Sequence, residues 1–317
     1  MLIYDRLRTR GLNFKGRIFC PYDSSFQQQG LCPDSNHPHQ LLASQRTDEA
    51  INTWGHHLFP LIKEAEVKLK GIRDMPNYRE GVSRCNYYGV TGIVDVISSV
   101  NIHEAPSGNL ILHYINQNSE LQKILSNLNS TDFEIVIDYK GTRRPATSDS
   151  EWEYHEWQIY TYAWLRMRQP NANNVVAGII FYINELAPSL EDLLQLKDNV
   201  QNNVTDIMPQ GRDLTAIQNC NRNNPTPQLT QAYRENRSIK LIPITKQKIN
   251  NSLQQFDNVV NNIEDSVLSE IRGNIIQNSW CAKAVKRNCT ACDFKTFCQM
   301  ANTNTSNSGG PYTPTVP

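Results

Sequence analysis

A short, largely apolar run at residues 133–140, FEIVIDYK, ends in a carboxylate and a lysine two positions apart. Its β-branched content and its alternation of side chains predict a strand that stops at the following GTRRP segment. Successive side chains of a strand point to opposite faces, so Asp138 and Lys140 would share one face while the other face is buried in the core. Such a pair can serve a metal ion and a water molecule together. An ordinary ion pair at a strand end is the alternative.

The rest of the chain alternates between strand and helix patterns, which predicts an α/β fold with a central mixed sheet flanked by helices. Strands are expected at residues 86–97, 133–140, 175–183 and 239–242, and helices at 47–65, 120–128, 151–168 and 249–275. Residues 110–115 are ambiguous between helix and strand.

One domain is expected to span residues 1–300, with mostly loop over the first 40 residues. Two segments, at about 101–130 and 185–237, are expected to be helical elaborations of this core, the second with one or two short helices. Residues 301–317 lack side chains to bury and are expected to form a disordered tail.

Charge and hydropathy narrow the functional classes. The 317 residues carry 31 basic and 31 acidic side chains, so any binding of nucleic acid would depend on a local basic surface. Arg143, Arg144, Arg166 and Arg168 are candidates for that surface. No apolar run is long enough to span a membrane and no secretory leader is visible, so we expect a cytoplasmic protein without a membrane partner.

Three short motifs follow one another along the chain. Gly92-x-x-Asp95 lies in one predicted strand, Asp138-x-Lys140 ends the next, and Gln158-x-x-x-Tyr162 lies on one face of the following helix. Their order resembles the PD-(D/E)xK nuclease superfamily, and within it the RecB-type nucleases. The resemblance implies a restriction-endonuclease-like core and a metal-dependent DNA nuclease, expected to be an exonuclease acting on single-stranded ends.

The resemblance also implies roles for these residues. Asp95 and Asp138, with the carbonyl of Tyr139, would hold Mg²⁺ or Mn²⁺ through hard oxygen ligands. Lys140 would orient the attacking water, so Asp95, Asp138 and Lys140 are the expected catalytic residues. Gln158 and Tyr162 would contact the DNA backbone, although Tyr162 could instead be a core residue.

One family feature is displaced in this sequence. Many RecB-type nucleases carry a metal-binding histidine four residues after a glycine of the first helix, whereas Gly55 is followed at that spacing by Phe59. Of the two neighbouring histidines, His57 falls at the edge of the apolar stripe and His56 points nearly opposite it. His57 is therefore the favoured additional metal ligand.

The C-terminal cysteines form the second distinctive feature. Cys289, Cys292 and Cys298 follow the spacing C-x2-C-x5-C, which resembles the RecB-type exonucleases that bear an iron-sulfur cluster. Tetrathiolate ligation fits a [4Fe-4S] cluster, with zinc as the rival metal. Cys20 is the favoured fourth ligand, and Cys32 and Cys281 are alternatives.

The resembling exonucleases act in helicase-nuclease repair complexes and in CRISPR adaptation. The resemblance therefore implies DNA repair or antiviral defence, with DNA as substrate and a helicase or defence protein as partner. Two alternatives stay open. One is a catalytically weak or inactive DNA-binding protein that keeps the fold, and the other is an endonuclease of the transposition or restriction type.

Overall fold

The structure is a computed structural model, which describes residues 38–280 except 102, 104–107 and 129. The expected loop before residue 38, the expected tail at 301–317 and the cysteine cluster lie outside the described residues. Within the described part of the chain, no helix combines the length and apolar character that a membrane span requires.

A five-stranded sheet forms the centre of the fold, with its strands in sequence order. The strands are β1 Ile62–Asp74, β2 Tyr87–Asn101, β3 Asp132–Lys140, β4 Val175–Tyr182 and β5 Ile239–Pro243. Strand β3 pairs antiparallel with β2 and parallel with β4, and β4 pairs antiparallel with β5. The expected mixed sheet flanked by helices is therefore confirmed.

Nine helices accompany the sheet among the described residues, in addition to shorter helical turns. They are α1 Pro38–Ala50, α2 Leu110–Gln117, α3 Ser119–Ser126, α4 Ser150–Met167, α5 Leu190–Gln201, α6 Gly211–Gln218, α7 Gln231–Ser238, α8 Lys246–Ile271 and α9 Ile276–Ser279. The ambiguous segment at 110–115 is thus helical. The elaboration after β4 holds three helices, α5 to α7, where one or two were expected.

The first helix was predicted too long, and β1 was missed. After α1 the chain passes through a π-helical turn at Ile51–Gly55, an α-helical turn at His56–Leu58 and a 3-10 turn at Phe59–Leu61 before β1 begins. Most side chains of β1 remain exposed or half-buried, as in an edge strand. Its Lys and Glu residues favour helices as isolated residues, so the sequence pattern concealed the strand.

The two faces of the sheet are covered by different elements. On one face, buried residues of β2 to β5 pack with the segment around Trp54 and with α2 and α3. Helix α4 covers the other face and approaches it closely, because the strands carry glycines beneath it. A Cβ atom at Gly71 of β1 would lie 2.6 Å from the ring of Trp164, and one at Gly178 of β4 would clash with Ile159.

The elaboration between β4 and β5 has a small core of its own. Buried residues of α5, α6 and α7 pack together with the loop that precedes α7, namely Leu193, Leu196, Ile217, Cys220, Leu229 and Tyr233. Helix α5 is fixed at its start by a capping box, in which Ser189 and Asp192 bond each other's backbone amides. This segment is therefore a packed part of the protein rather than an open loop.

The chain divides into two compact units. Among the described residues, the first comprises residues 38–72 and 89–253, and the second comprises residues 73–88 and 254–280. Within the second unit, Asp257 of α8 receives a bidentate ion pair from Arg73 and a hydrogen bond from Tyr88, and Glu264 pairs with Arg84. The motif residues Asp95, Asp138, Lys140, Gln158 and Tyr162 all belong to the first unit.

Candidate active site

The end of β3 carries a buried carboxylate, Asp138, and a partly accessible lysine, Lys140. The side chain of Asp138 is 5 % exposed and that of Lys140 is 17 % exposed, with Nζ of Lys140 lying 2.7 Å from Oδ2 of Asp138. Strand β3 continues pairing with β4 to its last residue, since Lys140 is paired with Tyr182. The backbone of both residues is thus held by the centre of the sheet.

Asp95 reaches the same place from β2. The antiparallel register pairs Val96 with Ile137, so Asp95 lies at the next position toward the end of β3. Its Oδ2 accepts a hydrogen bond of 2.8 Å from the backbone amide of Tyr139. This bond fixes the Asp95 carboxylate beside the residue that separates Asp138 from Lys140.

Gln158 of α4 connects the helix to the side chain of Lys140, the last residue of β3. Its Oε1 accepts a 2.6 Å hydrogen bond from Nζ of Lys140, and its Nε2 donates to the hydroxyl of Tyr162 at 2.6 Å and, more weakly, to Oδ1 of Asp138 at 3.4 Å. Both polar ends of the amide are therefore engaged within the site. The structure brings together all the predicted residues of the three motifs.

The glycine of the first motif allows this approach. A Cβ atom at Gly92 would lie 2.9 Å from Cε1 of Tyr162, closer than real Cβ contacts permit. Tyr162 is 9 % exposed and packs against the strand while its hydroxyl accepts from Gln158. The core and polar interpretations of Tyr162 thus hold together, because its ring is buried and its hydroxyl belongs to the site.

Asp138 lacks part of the hydrogen bonding that a buried carboxylate requires. Its Oδ2 is fully buried and, within the described part of the chain, receives no hydrogen bond of acceptable angle despite the nearby ammonium of Lys140. Burial raises the pKa of Asp138, the ammonium of Lys140 2.7 Å away opposes this, and the charge of Asp95 adds to the rise. A cation near both carboxylates would remove this electrostatic cost.

The donor set fits a hard divalent cation. Asp95 and Asp138 offer carboxylate oxygens, and the backbone carbonyl of Tyr139 lies in the segment between them and Lys140. Among the described residues, no group of three or more His, Cys, Asp or Glu side chains is arranged to hold a metal ion. A metal here would therefore have two side-chain ligands, and its remaining ligands would be water, backbone or substrate oxygens, as Mg²⁺ commonly accepts.

The structure does not bring His57 into such a group. Its Nδ1 accepts a 3.2 Å hydrogen bond from the backbone amide of Leu110, at the start of α2, and its backbone carbonyl accepts from Asn109. Burial, with the neighbouring charge of His56, lowers the pKa of His57 to about 4. In this arrangement His57 is a neutral residue that satisfies the N-terminus of a helix, and metal binding by it stays a prediction.

Two of the four candidate arginines cannot provide a basic surface. Arg144 is buried, pairs with Asp206 and donates to the carbonyls of Arg237 and Ile239. Arg166 is buried in a bidentate pair with Glu134, with both bonds at 2.7 Å. The prediction of a basic surface was wrong for both, because each guanidinium is buried against a carboxylate. The sequence did not show these pairs, since Asp206 lies 62 residues from Arg144 and Glu134 lies 32 residues from Arg166.

The other two arginines remain exposed. Arg143 follows the end of β3, and the guanidinium of Arg168 lies over the ring of Trp164, 4.6 Å from its centroid. The local basic surface near the motifs is therefore smaller than expected.

Two features near the site were not predicted from the sequence. Tyr154 is 58 % exposed on α4, one helical turn before Gln158, and its ring stacks on Trp157 with centroids 5.8 Å apart. Its spacing of four from Gln158 was a readable signal.

The second feature is Lys240, which lies in the same row of the sheet as Asp138 because both pair with Ile180. Burial lowers the pKa of Lys240 to about 8. Only the tertiary register reveals this proximity.

The predicted iron-sulfur ligands Cys20, Cys289, Cys292 and Cys298, and the alternatives Cys32 and Cys281, lie outside the described residues. The two described cysteines, Cys85 and Cys220, are free thiols, the first exposed and the second buried. The cluster therefore stays a prediction.

Comparison with known proteins tests the resemblance independently. No curated protein and no solved structure gives a significant match to the chain. The family model of the PD-(D/E)XK nuclease superfamily matches residues 130–299, which include Asp138, Lys140, Gln158 and Tyr162 and make up more than half of the chain. With the mixed sheet and the Asp-x-Lys pair at the end of its central strand, the chain belongs to the PD-(D/E)XK nuclease superfamily.

Proposed function

We propose that the protein is a metal-dependent DNA nuclease that hydrolyses phosphodiester bonds, with Asp95, Asp138 and Lys140 as its catalytic residues. The observation that carries the proposal is the arrangement at the end of β3. A buried carboxylate with an unsatisfied oxygen lies beside a second carboxylate, and an ammonium is held at their edge. Nucleases of this superfamily typically use Mg²⁺ or Mn²⁺.

Each residue contributes a distinct part of the chemistry. Asp95 and Asp138, with the Tyr139 carbonyl, would hold the divalent ion, which when bound stabilises negative charge on the phosphate and lowers the pKa of water. Lys140 would orient the attacking water through its remaining N–H groups. Gln158 fixes Nζ of Lys140 through its Oε1, and Tyr162 holds the amide of Gln158 in that orientation.

This geometry changes the role expected for Gln158. Because its amide is bonded to both Lys140 and Tyr162, Gln158 acts first as a residue that positions the side chain of Lys140. A contact between Gln158 and the DNA backbone would require the amide to exchange one of these bonds. Binding of DNA by Gln158 and Tyr162 remains part of the proposal.

Single-stranded DNA is the substrate that the surface of α4 favours. Bases that are not paired can stack on exposed aromatic rings, and such stacking is worth about 1–3 kcal/mol per base. The exposed Tyr154, supported from beneath by Trp157, offers such a ring one helical turn from Gln158. A duplex would keep its bases stacked within itself and could not use it.

The test is hydrolysis of end-labelled single- and double-stranded DNA in Mn²⁺, Mg²⁺ or EDTA. We expect cleavage of single strands from an end, dependent on the added ion. Tyr154→Ala should weaken single-strand binding in EDTA about 5- to 150-fold, the range of one stacked base. Tyr154→Phe should retain it.

Tyr78→Ala is the matched control, since Tyr78 is also an exposed tyrosine and lies between β1 and β2. Equal binding by Tyr154→Ala and Tyr78→Ala would contradict the stacking role. Equal cleavage in EDTA would contradict the metal-dependent mechanism.

The remaining parts of the proposal rest on the resemblance. They are exonuclease action, a role in repair or antiviral defence beside a helicase or CRISPR protein, and a single nuclease domain over residues 1–300. A cytoplasmic location is also proposed, and it rests on the sequence, in which no long apolar run and no secretory leader is visible. A [4Fe-4S] cluster on Cys20, Cys289, Cys292 and Cys298 is supported by cysteine spacing. Protein purified without oxygen should contain four iron atoms per chain, and Cys292→Ser should lose them. Stoichiometric zinc in the wild type would overturn the cluster.

A further inference from the structure

A cavity of about 320 Å³ opens directly beyond the end of β3. Its walls come from the loop that joins β3 to α4, from the turn after β4 and from α5, all within the first compact unit. Gly141, the residue that follows Lys140, is part of the wall. The cavity is therefore adjacent to the catalytic end of β3, and its volume lies within the range of small-molecule sites, roughly 300–1,000 Å³.

One buried polar group in this cavity has an unused hydrogen-bonding capacity. Asn199 of α5 is 6 % exposed, and its Oδ1 accepts a 3.2 Å hydrogen bond from Nε2 of Gln195. Within the part of the chain that the structure describes, Nδ2 of Asn199 donates to no acceptor. This amide nitrogen belongs to a largely buried residue that lines the cavity, and it has no acceptor among the described residues, so it is available to a ligand there.

The other polar groups of the cavity are of both signs. Arg143 and Asn184 make no side-chain hydrogen bond to described residues, so their donors are available to a ligand. Asp149, Glu151 and Asp192 supply carboxylates. Asp192 is also held by Arg46 at 2.6 Å, which fixes its position. Donors and acceptors thus line the same space.

This balance of charge selects the kind of ligand. With Asp192 paired to Arg46, the wall still carries the carboxylates of Asp149 and Glu151 against the one guanidinium of Arg143, which disfavours a negatively charged phosphate group. A neutral, planar group with both hydrogen-bond donors and acceptors on its edge fits better. The bases of nucleic acids have such edges, with carbonyl oxygens and ring nitrogens as acceptors and exocyclic amines as donors.

We propose that this cavity, the base pocket, takes one unpaired nucleobase of the DNA strand next to the scissile phosphate. The proposal rests on the proposed nuclease function, since it assigns a substrate contact to that site. Nδ2 of Asn199 and Arg143 donate to acceptors of the base, and the carboxylates of the wall accept from its amines. Holding this base fixes the position of the neighbouring phosphate relative to Asp138 and Lys140.

The experiment uses the full chain and a set of single-stranded oligonucleotides in which one abasic residue is moved along the sequence. Binding is measured in EDTA, and cleavage positions are measured in Mn²⁺. In the wild type, the abasic residue should weaken binding about tenfold at one position next to the cleaved phosphate, as expected for the loss of one or two hydrogen bonds. At the other positions its effect should be smaller.

Two variants change the base pocket without touching the catalytic residues. Ala146→Phe fills it from the loop, and Asn199→Asp replaces the buried donor by an acceptor of the same shape. Both should weaken binding of the intact oligonucleotide about tenfold and make it insensitive to the abasic position. Ala172→Phe is the control, because Ala172 is also a half-buried loop alanine and does not line the cavity.

The outcomes separate this proposal from the proposed function. Metal-dependent cleavage with a uniform response to the abasic residue, or with Ala146→Phe equal to Ala172→Phe, overturns the base pocket and leaves the nuclease standing. Position-dependent binding without cleavage supports the base pocket and overturns the nuclease. Equal thermal stability of the three variants shows that binding, and not folding, has changed. If a variant unfolds early, the response of the wild type to the abasic position decides.

Discussion

Replacing Gly92 by alanine tests whether the close approach of α4 to β2 sets the geometry of the site. The new Cβ would lie 2.9 Å from Cε1 and 3.3 Å from Cδ1 of Tyr162, and 3.3 Å from Cδ1 of Leu165. The Tyr162 ring is buried, and its hydroxyl is bonded to Gln158. The ring therefore cannot move away without disturbing the amide that holds Lys140.

The expected cost follows from two opposing effects. Forcing an extra methyl group into a packed contact costs about 1–3 kcal/mol. Alanine also restricts the unfolded chain, which returns about 0.4–1 kcal/mol where the backbone conformation suits it. We expect Gly92→Ala to lower the free energy of unfolding by about 1–2 kcal/mol. We also expect it to reduce kcat by about tenfold or more, because Lys140 loses its fixed position.

Gly89→Ala is the matched control. Gly89 lies on the same strand, and no atom lies within 4 Å of a Cβ built there. Urea unfolding of the wild type and both variants gives the free energies, and DNA hydrolysis at saturating Mn²⁺ gives kcat. If Gly92→Ala matches Gly89→Ala in both stability and kcat, the argument that α4 packing positions the site is refuted.

Three further changes probe separate parts of the site. Gln158→Ala should lower kcat about 10- to 100-fold with little change in KM, since Nζ of Lys140 loses its 2.6 Å acceptor; a change confined to KM would favour a phosphate contact. Burial, and next the charge of Lys140, lowers the pKa of His155 to about 4. Neutral His155 therefore costs no stability above pH 6.5, and the free energy of unfolding falls as the pH drops toward 4, because the unfolded chain then binds a proton that the folded chain does not. His155→Gln should flatten the stability-pH curve in that window by up to about 3 kcal/mol, and an unchanged curve in thermal unfolding would refute this. Arg166→Met should cost about 3 kcal/mol in urea unfolding because it leaves Glu134 buried without its main partner, and Glu134→Gln in the same chain should restore part of the loss; additive losses would argue against the pair.

Much of the fold was readable from periodicity. The predicted strand at residues 133–140 is β3, Asp132–Lys140, and the predicted helix at 151–168 is α4, Ser150–Met167. These segments have strong patterns and clear stops, with Pro170 after the helix. Strand β1 was not predicted, because its local composition favours a helix and only pairing with β2 makes it a strand. Local preference was overridden by tertiary context there.

The site divides in the same way. The order of the three motifs was enough to find Asp95, Asp138, Lys140, Gln158 and Tyr162, and the structure brings them together. The specific contacts were not readable. The bond from the Tyr139 amide to Asp95 spans two strands, and the burial of Arg144 depends on Asp206, 62 residues away. Such contacts depend on the sheet register and on the paths of loops, and neither can be read from a local sequence pattern.

The central claim is that Asp138 and Lys140 form a metal-dependent hydrolytic centre. Its most direct test is the single-turnover rate of single-stranded DNA hydrolysis, titrated with Mn²⁺, for the wild type, Asp138→Asn and Lys140→Gln. Asp132→Asn serves as the control, since Asp132 lies at the other end of β3 and bonds Asn101. We expect both site variants to lose about 100-fold or more in rate at every Mn²⁺ concentration while Asp132→Asn keeps the wild-type rate. A wild-type rate in Asp138→Asn or Lys140→Gln at saturating Mn²⁺ would contradict the claim.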